Sequence, residues 1–172
     1  ENYHWYINFI GVQVIKKLLI ANRGEIAVRV MRTAKEMGIK TVAVYSEQDR
    51  DALHVRHADE AYALGGNTSA ESYLNVQAIL DVIKKAEIDA VHPGYGFYSE
   101  NSDFAQKLID SDVIWIGPDP SAIESMGDKI SAREVAKKAN VSMVPGTDTP
   151  IVDVSEITDF GAKYGYPIAI KA

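Results

Sequence analysis

Between residues 16 and 45 the chain changes its hydrophobic period twice, and this change restricts the fold more than any other feature. Leu18, Leu19, Ile20 and Ala21 form a short continuous apolar run, as a strand buried on both faces requires. Asn22, Arg23 and Gly24 interrupt it. From about Glu25, apolar residues recur at helical spacing: Ile26, Ala27, Val30, Met31, Ala34 and Met37. Gly38 then stands where a helix end takes a left-handed residue. Thr41 through Tyr45 is β-branched and apolar, a second strand. Strand, helix and strand over about thirty residues predict a βαβ unit with parallel strands and a right-handed crossover.

The alternation continues. Residues 51–57 read as a short helix and 60–64 as a short strand. Residues 72–86 form a strong helical pattern with Leu74, Ile79, Leu80 and Ile83 on one side. Residues 89–92 are a strand ended by Pro93 and Gly94, 104–109 a helix, and 113–116 a strand ended by Gly117 and Pro118. The predicted fold class is therefore α/β, a mainly parallel sheet with helices on both faces. Such sheets bind ligands beyond the carboxyl ends of their strands. After Pro118, residues 122–140 read as one or two helices around Gly127 and Asp128, 154–164 as a helix, and 167–171 as strand-like. We expect a domain over 15–120 and the beginning of another over 121–172. Residues 1–14 are aromatic-rich and lack Lys and Arg. They show no signal-peptide pattern and read as an atypical leader or an appended segment.

Charge and composition exclude several function classes. The net charge of −6 argues against a nucleic-acid partner, which demands a basic face. With no cysteine there is no disulfide, zinc-thiolate site or thiol nucleophile, which fits a cytoplasmic protein. No apolar run approaches the ~18 residues of a membrane span.

Neither GxGxxG nor GxxxxGK[ST] occurs. The candidate ligand-facing segments lie elsewhere. At the first strand-to-helix turn, Asn22-Arg23-Gly24-Glu25 is a site wall, or else Gly24 eases the turn and Arg23 is solvated. After the strand at 89–92, His92-Pro93-Gly94-Tyr95-Gly96-Phe97 offers two glycines for close backbone approach and the flat face of Tyr95. Alternatively His92 is a satisfied buried histidine and Tyr95 a packed loop aromatic. Ser99, Glu100 and Asn101 read as a helix start. His54 and His57, without a further ligand nearby, read as surface residues rather than a metal site. Lys129, beside Gly127 and Asp128, could meet a phosphate or purine edge as a point charge, or be solvated. Lys171 follows the apolar run Ile168-Ala169-Ile170, and lysine is depleted in strands.

Taken in order, ANRGEIA (21–27), HADEAYALGG (57–66), ESYLN (71–75), HPGYGFYSEN (92–101), WIGP (115–118) and MGDKISAR (126–133) resemble the biotin carboxylases, over residues 16–172. Segment 63–75 looks closer to the acyl-CoA carboxylase type than to pyruvate carboxylase. The resemblance implies a Rossmann-like N-terminal domain followed by the start of an ATP-grasp domain. It implies an ATP-dependent ligase that activates bicarbonate with ATP and Mg²⁺ and carboxylates biotin on a carrier domain. By the same resemblance Lys129 and Lys171 match ATP-contacting lysines, and Tyr95 matches the biotin side of the site. Arg29, Arg32 and Glu36 match a homodimer interface. A carboxyl carrier domain and a carboxyltransferase subunit are the further partners implied. The family's glycine-rich loop, Mg²⁺-binding glutamates and substrate-binding arginines would follow Ala172, so these 172 residues alone are expected not to carboxylate biotin and hold no catalytic or metal-binding residue. The alternatives are a non-catalytic assembly module acting through the dimer helix, and another ATP-grasp ligase such as a purine-biosynthesis carboxylase. The HPGYGF and MGDK segments favour biotin carboxylase over the latter.

Overall fold

The computed structural model describes residues 14–170 other than 128 and 148, with the main chain alone at Lys129 and Ile130. The leader expected over residues 1–14 thus lies outside the described residues, Val14 excepted. The chain divides into two compact units, Glu1–Glu124 and Ser125–Ala172.

The first unit is built on five strands: β1 (Lys17–Ile20), β2 (Lys40–Tyr45), β3 (Glu60–Ala63), β4 (Ala90–His92) and β5 (Ile114–Trp115). All neighbouring pairs are parallel, in the order β3-β2-β1-β4-β5. The connections carry α1 (Gly24–Glu36), α2 (Leu53–His57), α3 (Val76–Ala86) and α4 (Ser102–Ile109), with short 3₁₀ turns at Glu47–Asp49 and Phe97–Glu100. The predicted α/β class is what the structure shows.

The period-2 alternation of a strand sorts β1 between two cores. Leu18 and Ile20 pack with Ala27, Met31 and Ala34 of α1 on one face. Leu19 and Ala21 face the opposite cluster, with Ile79, Val82 and Ile83 of α3 and Phe104 and Leu108 of α4. Full burial of a Leu or Ile side chain contributes about 1.5–3 kcal/mol each, so a strand covered on both sides must be apolar throughout. Gly38 has φ +74 directly after the α1 terminus, the left-handed conformation anticipated for it.

The helix expected from residue 72 begins at Val76. Asn75 caps it, its side chain accepting from the Ala78 N–H at 3.1 Å, and a good capping residue overrides the apolar pattern upstream. Leu74 thereby falls outside the helix and is 41% exposed.

Helix α5 spans Pro120–Gly127. The second unit continues with α6 (Lys129–Lys138) and α7 (Val154–Tyr164). A capping box starts α7: Ser155 N–H donates to Asp153 at 2.7 Å and Asp153 N–H donates to Glu156 at 2.9 Å. The strand expected over 167–171 does not form at 167–170, and Lys171 lies outside the described residues. A strand exists only by pairing, and among the described residues this unit contains no other strand to receive its ladder.

Candidate functional site

The order of the sheet reverses between β1 and β4. The chain winds outward from β1 through β2 to β3, then returns to the other side of β1. The two helices after such adjacent strands diverge to opposite faces and leave a crevice at the carboxyl ends. Residues 22–25 and 93–97 meet there.

Asn22 joins them. It is 3% exposed, and its carboxamide nitrogen donates to the carbonyls of Pro93 at 2.8 Å and Tyr95 at 2.7 Å. Its oxygen accepts from the Arg23 N–H at 2.8 Å. Gly94, φ +68, is required at the turn: a Cβ there would lie 2.7 Å from the Asn22 nitrogen. Tyr95 is 58% exposed and donates its hydroxyl to Glu25 at 2.5 Å. The Glu25 carboxylate pushes the Tyr95 hydroxyl above its ordinary pKa. Residues 22–26 and 95–97 line an open hollow of about 370 Å³.

Arg23 is half-exposed but held in an ion pair. It makes two bonds of 2.6 Å to the two oxygens of Asp49. Asp49 also accepts from the hydroxyls of Tyr73 at 2.6 Å and Ser46 at 3.3 Å. The guanidinium, then the Tyr73 hydroxyl, hold the Asp49 carboxyl down at about 2 against the cost of its burial. Burial and the same carboxylate push Tyr73 up to about 12. Together they fix one wall of the crevice.

His92 Nδ1 accepts from the Gly94 N–H at 2.9 Å, and burial lowers its pKa, which favours the neutral ring such an acceptor needs. His54 departs from expectation. It is 1% exposed, with Nε2 3.3 Å from the Val44 carbonyl and Nδ1 without a hydrogen bond. The short α2 lies against β2, which turns His54 inward and leaves Leu53 outside, 59% exposed. No group of three metal-ligating side chains occurs among the described residues.

Residues 14–123 match the family model described as biotin carboxylase, N-terminal domain. The chain belongs to the biotin carboxylase family. Residues 128–172 match the model of the carbamoyl-phosphate synthase L chain, ATP binding domain. The chain is 55% identical over 158 residues to the biotin-dependent acyl-coenzyme A carboxylase alpha3 subunit of Mycobacterium leprae, covering 92% of this chain and 26% of that one. It is 51% identical to the biotin carboxylase of Halalkalibacterium halodurans, covering 92% of this chain and 35% of the relative. A solved biotin carboxylase domain dimer of Hydrogenobacter thermophilus 2-oxoglutarate carboxylase, in complex with MgADP, ADP and bicarbonate, superposes with TM-score 0.80 at 47% identity, over 90% of this chain and 34% of that one. The chain thus spans about a quarter to a third of the length of these relatives.

Within this chain the expected site residues fall in three places. Tyr95 lies in the crevice. Arg29, Arg32 and Glu36 lie on the exposed side of α1. Arg29 stands 3.6 Å from Glu25, while Arg32 and Glu36 form no ion pair with each other. Lys129 begins α6, with its side chain outside the described residues, as is Lys171. Asp49 and Tyr73 were not identified from sequence, and Asn22 was read only as part of the 22–25 site wall, not as the residue that clamps the 93–97 turn. Asn22 read as a strand breaker, and its partners are 71 and 73 residues away.

Proposed function

We propose that the full-length protein carrying this chain is an ATP-dependent biotin carboxylase within an acyl-CoA carboxylase. The observation that carries this is the clamped turn at the β1/β4 crevice, presenting Tyr95 in a chain of this family. Tyr95 offers an exposed aromatic face, and a Cβ at Gly96 would meet nothing within 4 Å, so a ligand has open approach along the backbone.

Bound ATP and Mg²⁺ would supply the activation of bicarbonate to carboxyphosphate, and biotin on its carrier domain would accept the CO₂ unit. The residues described here position rather than react. Glu25 holds the Tyr95 hydroxyl, Asn22 holds the turn, and the Asp49 network holds Arg23 at the rim. Lys129 and Lys171 are proposed as ATP contacts, in support of which residues 128–172 match an ATP binding domain. The proposed partners are a second copy through the exposed face of α1, a biotin carboxyl carrier domain and a carboxyltransferase subunit. The cytoplasm is the compartment belonging to this reading. No helix of the described residues is long and apolar enough to cross a membrane.

In the full-length protein, ATP hydrolysis is expected to require bicarbonate and to rise with free biotin. Hydrolysis indifferent to biotin would overturn the assignment. Arg32→Glu is expected to weaken the dimer, and an unchanged mass in sedimentation at low concentration would remove α1 from the interface.

A further inference from the structure

We propose that Asn22 is a positioning residue for biotin recognition, acting by setting the conformation of the 93–97 turn. This rests on the reading that Tyr95 lies on the biotin side of the site. The geometry is specific to a carboxamide. A single –NH₂ group carries two donors and one carbonyl oxygen accepts; here both donors go to carbonyls two residues apart, and the oxygen takes the Arg23 N–H. Two carbonyls converge on one nitrogen only because Gly94 between them adopts φ +68. That turn leaves the Tyr95 ring exposed and directs its hydroxyl to Glu25. Asn22 lines the hollow but is 3% exposed, and its carboxamide is taken by protein groups on both the nitrogen and the oxygen. Its effect on a ligand passes through Tyr95 and Gly96.

Asn22→Asp is the discriminating variant, being nearly equal in shape. It keeps an oxygen for the Arg23 N–H but sets a carboxylate against two carbonyl oxygens. Loss of both donors should release the turn. In the full-length enzyme we expect the KM for free biotin to rise roughly tenfold or more, a change of ~1.4 kcal/mol, while the KM for ATP stays within about twofold. Amide hydrogen exchange at Gly94 and Gly96 should quicken in the same variant. Asn22→Ser, uncharged and shorter, serves if the aspartate variant does not fold, with the same shifts expected. An unchanged biotin KM in either folded variant overturns the proposal, as does unaltered exchange at residues 94–97. A wild-type enzyme without any biotin dependence instead overturns the functional reading beneath it, and the exchange measurement on the same proteins tells the two failures apart.

Discussion

In the first unit Leu19, Ile20, Val42 and Val91 are fully covered, whereas in the second Val144, Val152 and Val154 are 81%, 93% and 76% exposed. The first unit's structure is tertiary. Its strands pair across long separations, and α1, α3 and α4 each bury an apolar face against the sheet. The second unit's structure is more local, its longer reach being Arg133, which donates to the carbonyls of Val144 and Gly146, 11 and 13 positions away. The capping box of α7 joins residues two to four apart, and α6 has no buried residue among those described. Regular helices are therefore compatible with quite different amounts of burial, and only the first unit contains enough of it to hold a polar network in one geometry.

The contrast predicts how the two units answer substitution. Phe104→Ala should have the largest effect, about 3–5 kcal/mol of destabilisation. Phe104 is 1% exposed, its ring centroid 4.2 Å from Tyr98 and 6.1 Å from Trp115. A urea-midpoint shift worth less than about 1 kcal/mol would deny the first unit its cooperative core. Next is Asp49→Asn, expected to cost about 2 kcal/mol at neutral pH, because the carboxyl held at about 2 has an ordinary value of 3.8. Solvent around the half-exposed Arg23 reduces this somewhat. With its folded pKa depressed, Asp49 stabilises fully above about pH 4, and its contribution disappears as pH falls through about 2. The gap between wild type and variant should close over that window; a constant gap would mean the charge is not what stabilises.

The second unit should respond in function before stability. Lys129→Gln in the full-length protein is expected to raise the KM for ATP ten- to a hundredfold, roughly 1.4–2.8 kcal/mol, with the melting temperature unchanged. An unaltered KM and kcat would show that the family's lysine role does not belong to this residue. The smallest effect is expected from Asp153→Ala, about 1 kcal/mol of local helix stability at α7. Exchange should quicken at Ser155 and Glu156 but not in α1 or α3, and quickening throughout would break the distinction between local and tertiary order.

These differences also explain what could be read from sequence. The βαβ alternation, the left-handed Gly38 and the start of α7 at Val154 depend on near neighbours, and each is written in residues a few positions apart. Tyr95 stood out because glycines flank it. Asn22 stood out only as part of the 22–25 turn, without its clamping role, and Asp49 did not stand out at all. An asparagine after an apolar run is an ordinary strand ending, and an aspartate in a polar stretch is an ordinary surface residue, until partners 24 to 73 positions away are known. His54 was misplaced for the same reason, since a five-residue helix carries too few positions to reveal its inner face. The strand expected at 167–171 is missing at 167–170 for a different reason: its composition is suitable, but pairing is not a property of one segment.

The central place of β1 has a temporal consequence. Leu18 pairs with Thr41 on one side and with Ala90 on the other. On a ribosome adding about 5–20 residues per second, the second partner is synthesised several seconds after β1 itself. Throughout that interval one side of an apolar strand offers unpaired main-chain groups, a template on which another nascent chain can add. The arrival of β4 closes this edge and, in the same event, brings Pro93 and Tyr95 to Asn22. The step that protects the newborn chain from its neighbours is therefore also the step that assembles the ligand crevice.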